Sequence, residues 1–207
     1  MEFIKEHNKI SAVILAGGEN NRFNGKTKAN IQISGVRIIA RTIKLLHEIF
    51  EDIIIVTNTP EDFMGYHHFR IVPDEIKKVG PLGGIHAAMR IANNDSVFVF
   101  ASDMPCISST LIKKHIEFYN KRECDAAIPR IKDSKEPLHS IYHKRIFDSL
   151  DTFLKGANKY SIDNFIKDLD VRYHNLDDNE QHKKAFLNIN TPQDLSMMEC
   201  YEEVHHF

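Results

Sequence analysis

The chain has 207 residues, 42% hydrophobic and 27% charged, with a formal net charge of -2. That is enough for one sizeable domain of ordinary globular composition. The near-neutral balance argues against a whole-surface attraction to nucleic acid, and no apolar run approaches the length of a membrane span; the longest are Ile53–Val56 and Val97–Ala101. The N-terminal MEFIKEHNKI is charged and lacks a signal-peptide core. Cys106, Cys124 and Cys200 have no close spacing, which fits neither a disulfide framework nor a zinc motif and points to a reducing, cytoplasmic setting. Among the 12 histidines no H-x-x-x-H ligand spacing stands out, and His67-His68 and His205-His206 read as solvated surface pairs.

In chain order, a buried strand is expected at 10–15, followed by an amphipathic helix at 37–50, where Ile38, Ile39, Thr42, Leu45, Leu46 and Ile49 recur at helical spacing. Strands at 52–57 and 69–72 follow, then a helix at 84–92. Next come a strand at 96–101 and a helix at 109–120, capped by Ser108 or Ser109. Strands at 124–129 and 138–142, a helix at 145–154, a strand at 170–174 and a helix at 192–203 complete the chain. Most strands are continuous apolar runs, as in a parallel sheet buried on both faces. The alternation predicts a three-layer α/β fold with an open, mostly parallel sheet, in a single domain over 1–207. No repeat or low-complexity stretch interrupts it, and the chain becomes more polar from about Asp148.

Residues 10–28, ISAVILAGGENNRFNGKTK, carry the most information. An apolar strand empties into Gly17-Gly18 and then a polar loop with Arg22, Lys26 and Lys28. Glycines let backbone N–H groups approach an anion, and the cations neutralise it, so this loop is read as a phosphate holder. Asn20 to Thr27 nearly spells a P-loop, with Asn20 where the first glycine belongs. In a P-loop, however, the helix starts at the Gly-Lys-Thr. Here Ala-Asn-Ile-Gln-Ile-Ser-Gly follows, a short alternating segment and a turn, and the helical pattern begins only near Arg37.

Leu15-Ala16-Gly17-Gly18, Arg22, the hydrophobic Phe23, Gly25 and Lys28 together resemble the signature loop of the molybdenum cofactor guanylyltransferase (MobA-like) nucleotidyltransferase family. Gly25 and Lys28 align when Asn24 is taken as an insertion; Thr27 then stands where the family has Asp, and Asn20 where it has Ser. Three further segments agree in order: Val72-Pro73-Asp74 with Gly80-Pro81-Leu82-Gly83-Gly84, then Ser102-Asp103-Met104-Pro105, then Asn188-Ile189-Asn190-Thr191-Pro192. The similarity covers about residues 10–195.

The resemblance implies a Rossmann-like fold of the nucleotide-diphospho-sugar transferase type. Its nucleotide half would span about 10–105 and its acceptor half about 106–195. It implies a Mg²⁺-dependent, cytoplasmic enzyme, a monomer, that transfers GMP from GTP to Mo-molybdopterin and releases pyrophosphate. No nucleic acid or membrane takes part, and other cofactor-biosynthesis proteins or molybdoenzymes are candidate partners. A sister enzyme using CTP or another phosphorylated acceptor, and a non-catalytic nucleotide- or pterin-binding homologue, are the alternatives. Arg22, Lys28 and Asp103 take the catalytic roles, the two cations on the triphosphate and Asp103 on the metal. Asp103 lies just past the carboxyl end of a buried strand, where open α/β sheets bind ligands, and one carboxylate suffices for Mg²⁺. Otherwise Asp103 is a turn residue before the helix near Ser108. Leu15, Ala16, Gly17, Gly18, Lys28, Asp74, Gly80, Pro81 and Leu82 are assigned to the nucleotide, glycine letting the 80–84 backbone approach a flat base. Asn188 and Asn190, expected at the end of a short apolar strand, are assigned to the acceptor; the alternative for Asn190 is a turn and cap before Pro192. Arg145, Lys155 and Lys159 are weaker candidates for acceptor charge, with Asn158 and Lys159 where the family often has Arg.

Overall fold

The computed structural model describes residues 9–17, 28–156 and 160–204, with the backbone alone at Lys28 and over 199–204. The sequence expectations for Gly18, Arg22, the inserted Asn24, Lys26, Thr27, Asn158 and Lys159 lie outside the described residues.

The main elements are β1 (Ile10–Leu15), a hairpin of β2 (Gln32–Ile33) and β3 (Val36–Arg37), α1 (Ile38–His47), β4 (Ile53–Val56), β5 (Arg70–Val72), α2 (Pro81–Ile91), β6 (Ser96–Ala101), α3 (Ser109–Asn120), β7 (Ala126–Ile131), β8 (Ser134–Lys135), β9 (His139–His143), α4 (Phe147–Gly156), α5 (Ile162–Phe165), β10 (Val171–Leu176), α6 (Glu180–Ala185) and α7 (Pro192–Val204). Seven strands form the sheet in the order β10-β7-β9-β6-β1-β4-β5, and β8 pairs with β7. The pairs β1–β4, β1–β6, β4–β5 and β7–β10 are parallel. Strand β9 runs antiparallel to both β6 and β7.

The continuous apolar runs become the central strands because both of their faces are covered. Ala12, Ile14, Phe98 and Phe100 face α1 and α3 through Ile39, Leu46, Leu111 and Ile112. Val13, Val56, Val97 and Val99 face α2, α4 and α5 through Leu82, Met89, Leu150 and Phe165. A small third cluster of Ile31, Ile33, Ile38, Ile189 and Met198 ties the β2–β3 hairpin to the C-terminal region. The three layers and the mostly parallel sheet agree with the sequence expectation.

Local differences have local causes. Helix α2 begins at Pro81, three residues before the expected start. Gly80 supplies an N-cap at φ 65°, and Pro at the first helical position has its φ already set. Residues 28–30 form a single 3-10 turn that leads into β2, and α1 starts only at Ile38, so no helix follows the Gly-Lys-Thr as a P-loop requires. The β2–β3 turn uses Ser34 and Gly35, both at positive φ, as a two-residue hairpin turn demands. Asn188 does not follow a strand. It lies in an extended segment after α6, where Phe186 and Ile189 are buried as single anchors.

Candidate active site

The carboxyl ends of the central strands are laced together beyond the ladder. Ser102 N donates to Leu15 O at 3.2 Å, Ala16 N to Val56 O at 2.8 Å, and Thr57 N to Val72 O at 2.9 Å. This holds Leu15–Gly17, Asn58, Asp74 and the Ser102–Asp103 turn along one edge. In an open α/β sheet that edge is the ligand-binding one.

At one flank, Asp74 sits over the first turn of α2. Its backbone N–H donates to Asn58 Oδ1 at 3.2 Å, and Asn58 Nδ2 donates to Asp74 Oδ2 at 3.5 Å. Asp74 Oδ1 is buried without a hydrogen-bond partner among the described residues. Desolvation raises the carboxyl above the usual range, and the Asn58 contact opposes this only in part. A buried acceptor left unsatisfied by the fold is the group expected to meet a ligand's O–H or N–H. Gly17 lies beside it: a Cβ there would sit 3.7 Å from both Asn58 Nδ2 and Asp74 Oδ2. Sequence reading passed over Asn58, although it stands just past the buried strand 53–56, on the same edge.

The glycines of the 80–84 segment divide by role. A Cβ on Gly83 would lie 2.8 Å from Ile76 O, and one on Gly84 2.8 Å from Leu15 Cδ2 and 3.2 Å from Asp74 Oδ1. Gly83 and Gly84 therefore let α2 pack tightly against the chain's own β1 and the 74–79 loop, rather than opening space for a flat base. Leu82 is a core residue at 1% exposure, while Gly80 and Pro81 are exposed.

Asp103 occupies the centre of the edge, half-buried, two residues past β6. The cap of α3 is Ser108, which accepts from Leu111 N at 3.4 Å, so Asp103 is not the helix cap. Its backbone carbonyl accepts from Ile189 N at 2.9 Å. That bond brings Asn188 and Asn190 to Asp103 although 85 positions separate Asn188 from it in the chain. The turn before Pro192 is capped by others: Thr191 Oγ1 accepts from Asp194 N at 3.2 Å, and Asp194 Oδ2 accepts from Asn190 N and Thr191 N.

One of the weaker acceptor cations is elsewhere. Arg145 lies at the opposite, amino-terminal edge of the sheet, its Nε 2.7 Å from Asp125 Oδ1, in a cleft with Lys9, Asp95 and Ser96. The end of β9, which runs antiparallel to the central strands, carries it there. Lys155 is exposed and paired with Asp151 at 2.6 Å. Lys28 opens the 3-10 turn whose next residue, Ala29, is fully buried, so its backbone is anchored at the core.

Among the described residues no three His, Cys, Asp or Glu side chains gather into a metal cage. Asp103 supplies one carboxylate, a hard oxygen donor. It suits an ion such as Mg²⁺, which takes one or two carboxylates and completes its shell with phosphate oxygens and water.

An edge with a half-buried acid at one flank, a carboxylate at its centre and the Asn188–Asn190 segment hydrogen-bonded to that central turn suits a nucleotide-handling α/β enzyme of the nucleotidyltransferase class. The MobA-like NTP transferase domain matches residues 12–172, and the chain belongs to that family. A probable molybdenum cofactor guanylyltransferase of Natranaerobius thermophilus is 35% identical over 200 residues, covering 93% of this chain and 96% of that one. A molybdenum cofactor guanylyltransferase of Syntrophotalea carbinolica is 34% identical, covering 89% and 88%. The crystal structure of molybdopterin-guanine dinucleotide biosynthesis protein A from Archaeoglobus fulgidus superposes with a TM-score of 0.80 at 26% identity, covering 94% of this chain and 99% of that one. A CMP:2-keto-3-deoxy-manno-octonic acid synthetase shares the fold at a TM-score of 0.73 and 10% identity.

Proposed function

We propose that this nucleotidyltransferase transfers GMP from GTP to Mo-molybdopterin, releasing pyrophosphate. The observation that carries the proposal is the Ile189–Asp103 hydrogen bond, which draws the C-terminal asparagines to the centre of the edge that also holds Asp74. The names of relatives at about one-third identity over most of the chain support guanylyl transfer to this acceptor.

In this reading the acceptor's phosphate attacks the α-phosphorus in line, and the protein contributes mainly positioning and charge neutralisation. Leu15–Gly18, Gly80, Pro81 and Leu82 frame the nucleotide, and Asp74, oriented by Asn58, accepts a hydrogen bond from the nucleoside. Arg22 and Lys28 neutralise the triphosphate and the departing pyrophosphate. Asp103 holds Mg²⁺, which when bound supplies Lewis-acid polarisation of the phosphates. Asn188 and Asn190 donate to the acceptor's phosphate and keep it on the attacking side. The proposal includes a cytoplasmic monomer of one domain, its nucleotide half over 10–105 and its acceptor half over 106–195.

The test is pyrophosphate release with each of the four NTPs, with and without molybdopterin. GTP with molybdopterin is expected to be the productive pair, and Asp103→Asn and Lys28→Ala each to slow turnover by ~100-fold, or ~2.7 kcal/mol. A preference for CTP would move the chain to the sister class. A larger loss from Lys26→Ala than from Lys28→Ala would overturn the loop alignment.

A further inference from the structure

Glu136 is an acid placed at the ligand edge that the fold does not need. Its backbone is pinned on several sides. Glu136 N donates to Pro129 O at 3.0 Å, continuing the β7–β8 ladder, and Glu136 O accepts from His139 N at 3.0 Å and Ser140 Oγ at 2.6 Å. The antiparallel β6–β9 register sets Phe100 opposite His139, and Ala101 N then donates to Leu138 O at 3.0 Å. The turn over 136–139, closed by that Glu136 O–His139 N bond, is thereby held against the carboxyl end of β6 at Ala101, two residues before Asp103.

The side chain is a different matter. It is half-buried, and its one hydrogen-bonding neighbour is the Ser134 hydroxyl of its own hairpin. Among the described residues no Lys, Arg or His acts on it; Lys135 turns to Asp163 at 3.3 Å. Burial pushes the carboxyl up to about 7. Pro129 is its ladder neighbour, and the apolar Pro137 and Leu138 follow it in the turn. A desolvated acid that faces no cation among the described residues is costly to folding, and such costs gather where a ligand supplies the missing partner.

We propose that Glu136 lines the acceptor subsite and accepts paired hydrogen bonds from the N–H edge of a neutral 2-amino-4-oxopyrimidine ring, the edge a pterin presents. An uncharged flat ring suits the apolar walls, and two parallel N–H···O bonds to one carboxylate suit that edge. Guanine carries the same edge. Four strand spacings separate β5, which leads to Asp74, from β9, about 19 Å across the sheet, with Asp103 between them. Glu136 is therefore on the far side of the reacting centre from the nucleoside. The inference rests on the acceptor reading above.

Three titrations test it: neopterin monophosphate as a fluorescent phosphopterin, its 2-oxo (lumazine) counterpart, and GTP. Wild type is expected to prefer the 2-amino ring. Glu136→Gln and Glu136→Ala are expected to weaken the phosphopterin by at least ~10-fold, abolish the preference over the lumazine and leave GTP within about 2-fold. Retained GTP binding also shows that the variants are folded. If wild type binds the phosphopterin and both variants bind it equally well, the inference fails and the acceptor reading stands. If wild type binds GTP but no pterin, the acceptor reading fails and takes the inference with it. If the variants lose GTP instead, Glu136 reads the guanine and the subsite assignment is overturned.

Discussion

Asp74 and Asp103 stand on the same edge yet differ in what the fold gives them. Asp74 has one oxygen near the Asn58 amide and the other buried without a partner among the described residues, so ionising it is costly. Its raised pKa has a definite sign. An acid whose folded pKa lies above its unfolded one withdraws stability as pH rises through the folded value. Asp74→Asn is therefore expected to raise the melting temperature of the ligand-free protein at pH 7 while weakening GTP by at least ~10-fold, since the amide cannot accept in both directions. Thermal melts and calorimetric titration of the same preparation decide it: a lower melting temperature with intact GTP affinity would make Asp74 a structural residue. Asp74 and Asp103 were both legible as candidates, because each follows an apolar run at the carboxyl edge of an α/β pattern. What could not be read was the orphaned oxygen, which depends on where α2 lies, nor the isolation of Glu136, which depends on Lys135 turning to Asp163.

Helix α2 shows how an element's start can be written in residues that look like loop. Gly-Pro-Leu-Gly-Gly reads as a turn by composition, yet Gly80 caps the helix and Pro81 opens it. Gly83 and Gly84 lie within it because α2 must approach the 74–79 loop and β1 closely. Gly83→Ala pits two effects against each other. Alanine gains ~1 kcal/mol of helix propensity, but its Cβ would sit 2.8 Å from the Ile76 carbonyl, a backbone atom that cannot swing aside. Overpacking costs ~1–3 kcal/mol in such places, so net destabilisation is expected, together with weaker GTP binding as α2 shifts under Asp74. Gly156→Ala, with nothing within 4 Å of the added methyl, is the matched control and is expected to be neutral or slightly stabilising in urea titrations. A stabilised Gly83→Ala would mean that the loop yields freely and that α2's position is not fixed by this contact. The short elements β2, β3, β8, α5 and α6 went unassigned for a related reason. Each is too brief to show a period and exists through tertiary anchors such as Ile33, Phe165 and Ala185.

At the scale of the whole molecule, the layers were legible because β1, β4 and β6 are buried on both faces and their apolar runs say so directly. The antiparallel β9 was not, since a run such as Leu-His-Ser-Ile-Tyr carries no direction. Its consequence is a set of histidines in the interior around β9. His139 is fully buried, edge-on to Phe98, Phe100 and Phe186 at 5.1–5.2 Å, with neither ring nitrogen hydrogen-bonded among the described residues. His115 is fully buried as well. Its Nε2 lies 3.1 Å from the Ala127 carbonyl and so carries the proton, leaving Nδ1 to accept from His174 Nδ1 at 3.0 Å. A second proton on His115 would sit on Nδ1 and set its N–H against that of His174. The other charges acting on this set, Arg122, Lys114 and His182, are cationic or become so, and add to the repulsion. Burial lowers all three histidines, His139 to about 3. For a base, a folded pKa below the unfolded value of about 6.5 means full stability above pH 6.5. That stability is lost as pH falls from there toward the folded value, because only the unfolded chain takes the proton. With its folded value at about 3, His139 withdraws ~1.4 kcal/mol per pH unit below 6.5, and His115 acts in the same direction. Urea midpoints between pH 7.5 and 5 are expected to stay level and then fall. His139→Phe keeps the aromatic packing, and His139→Leu serves should the larger ring strain the core; either is expected to make the fall distinctly shallower. If the fall is as steep without His139 as with it, the acid sensitivity resides in other groups.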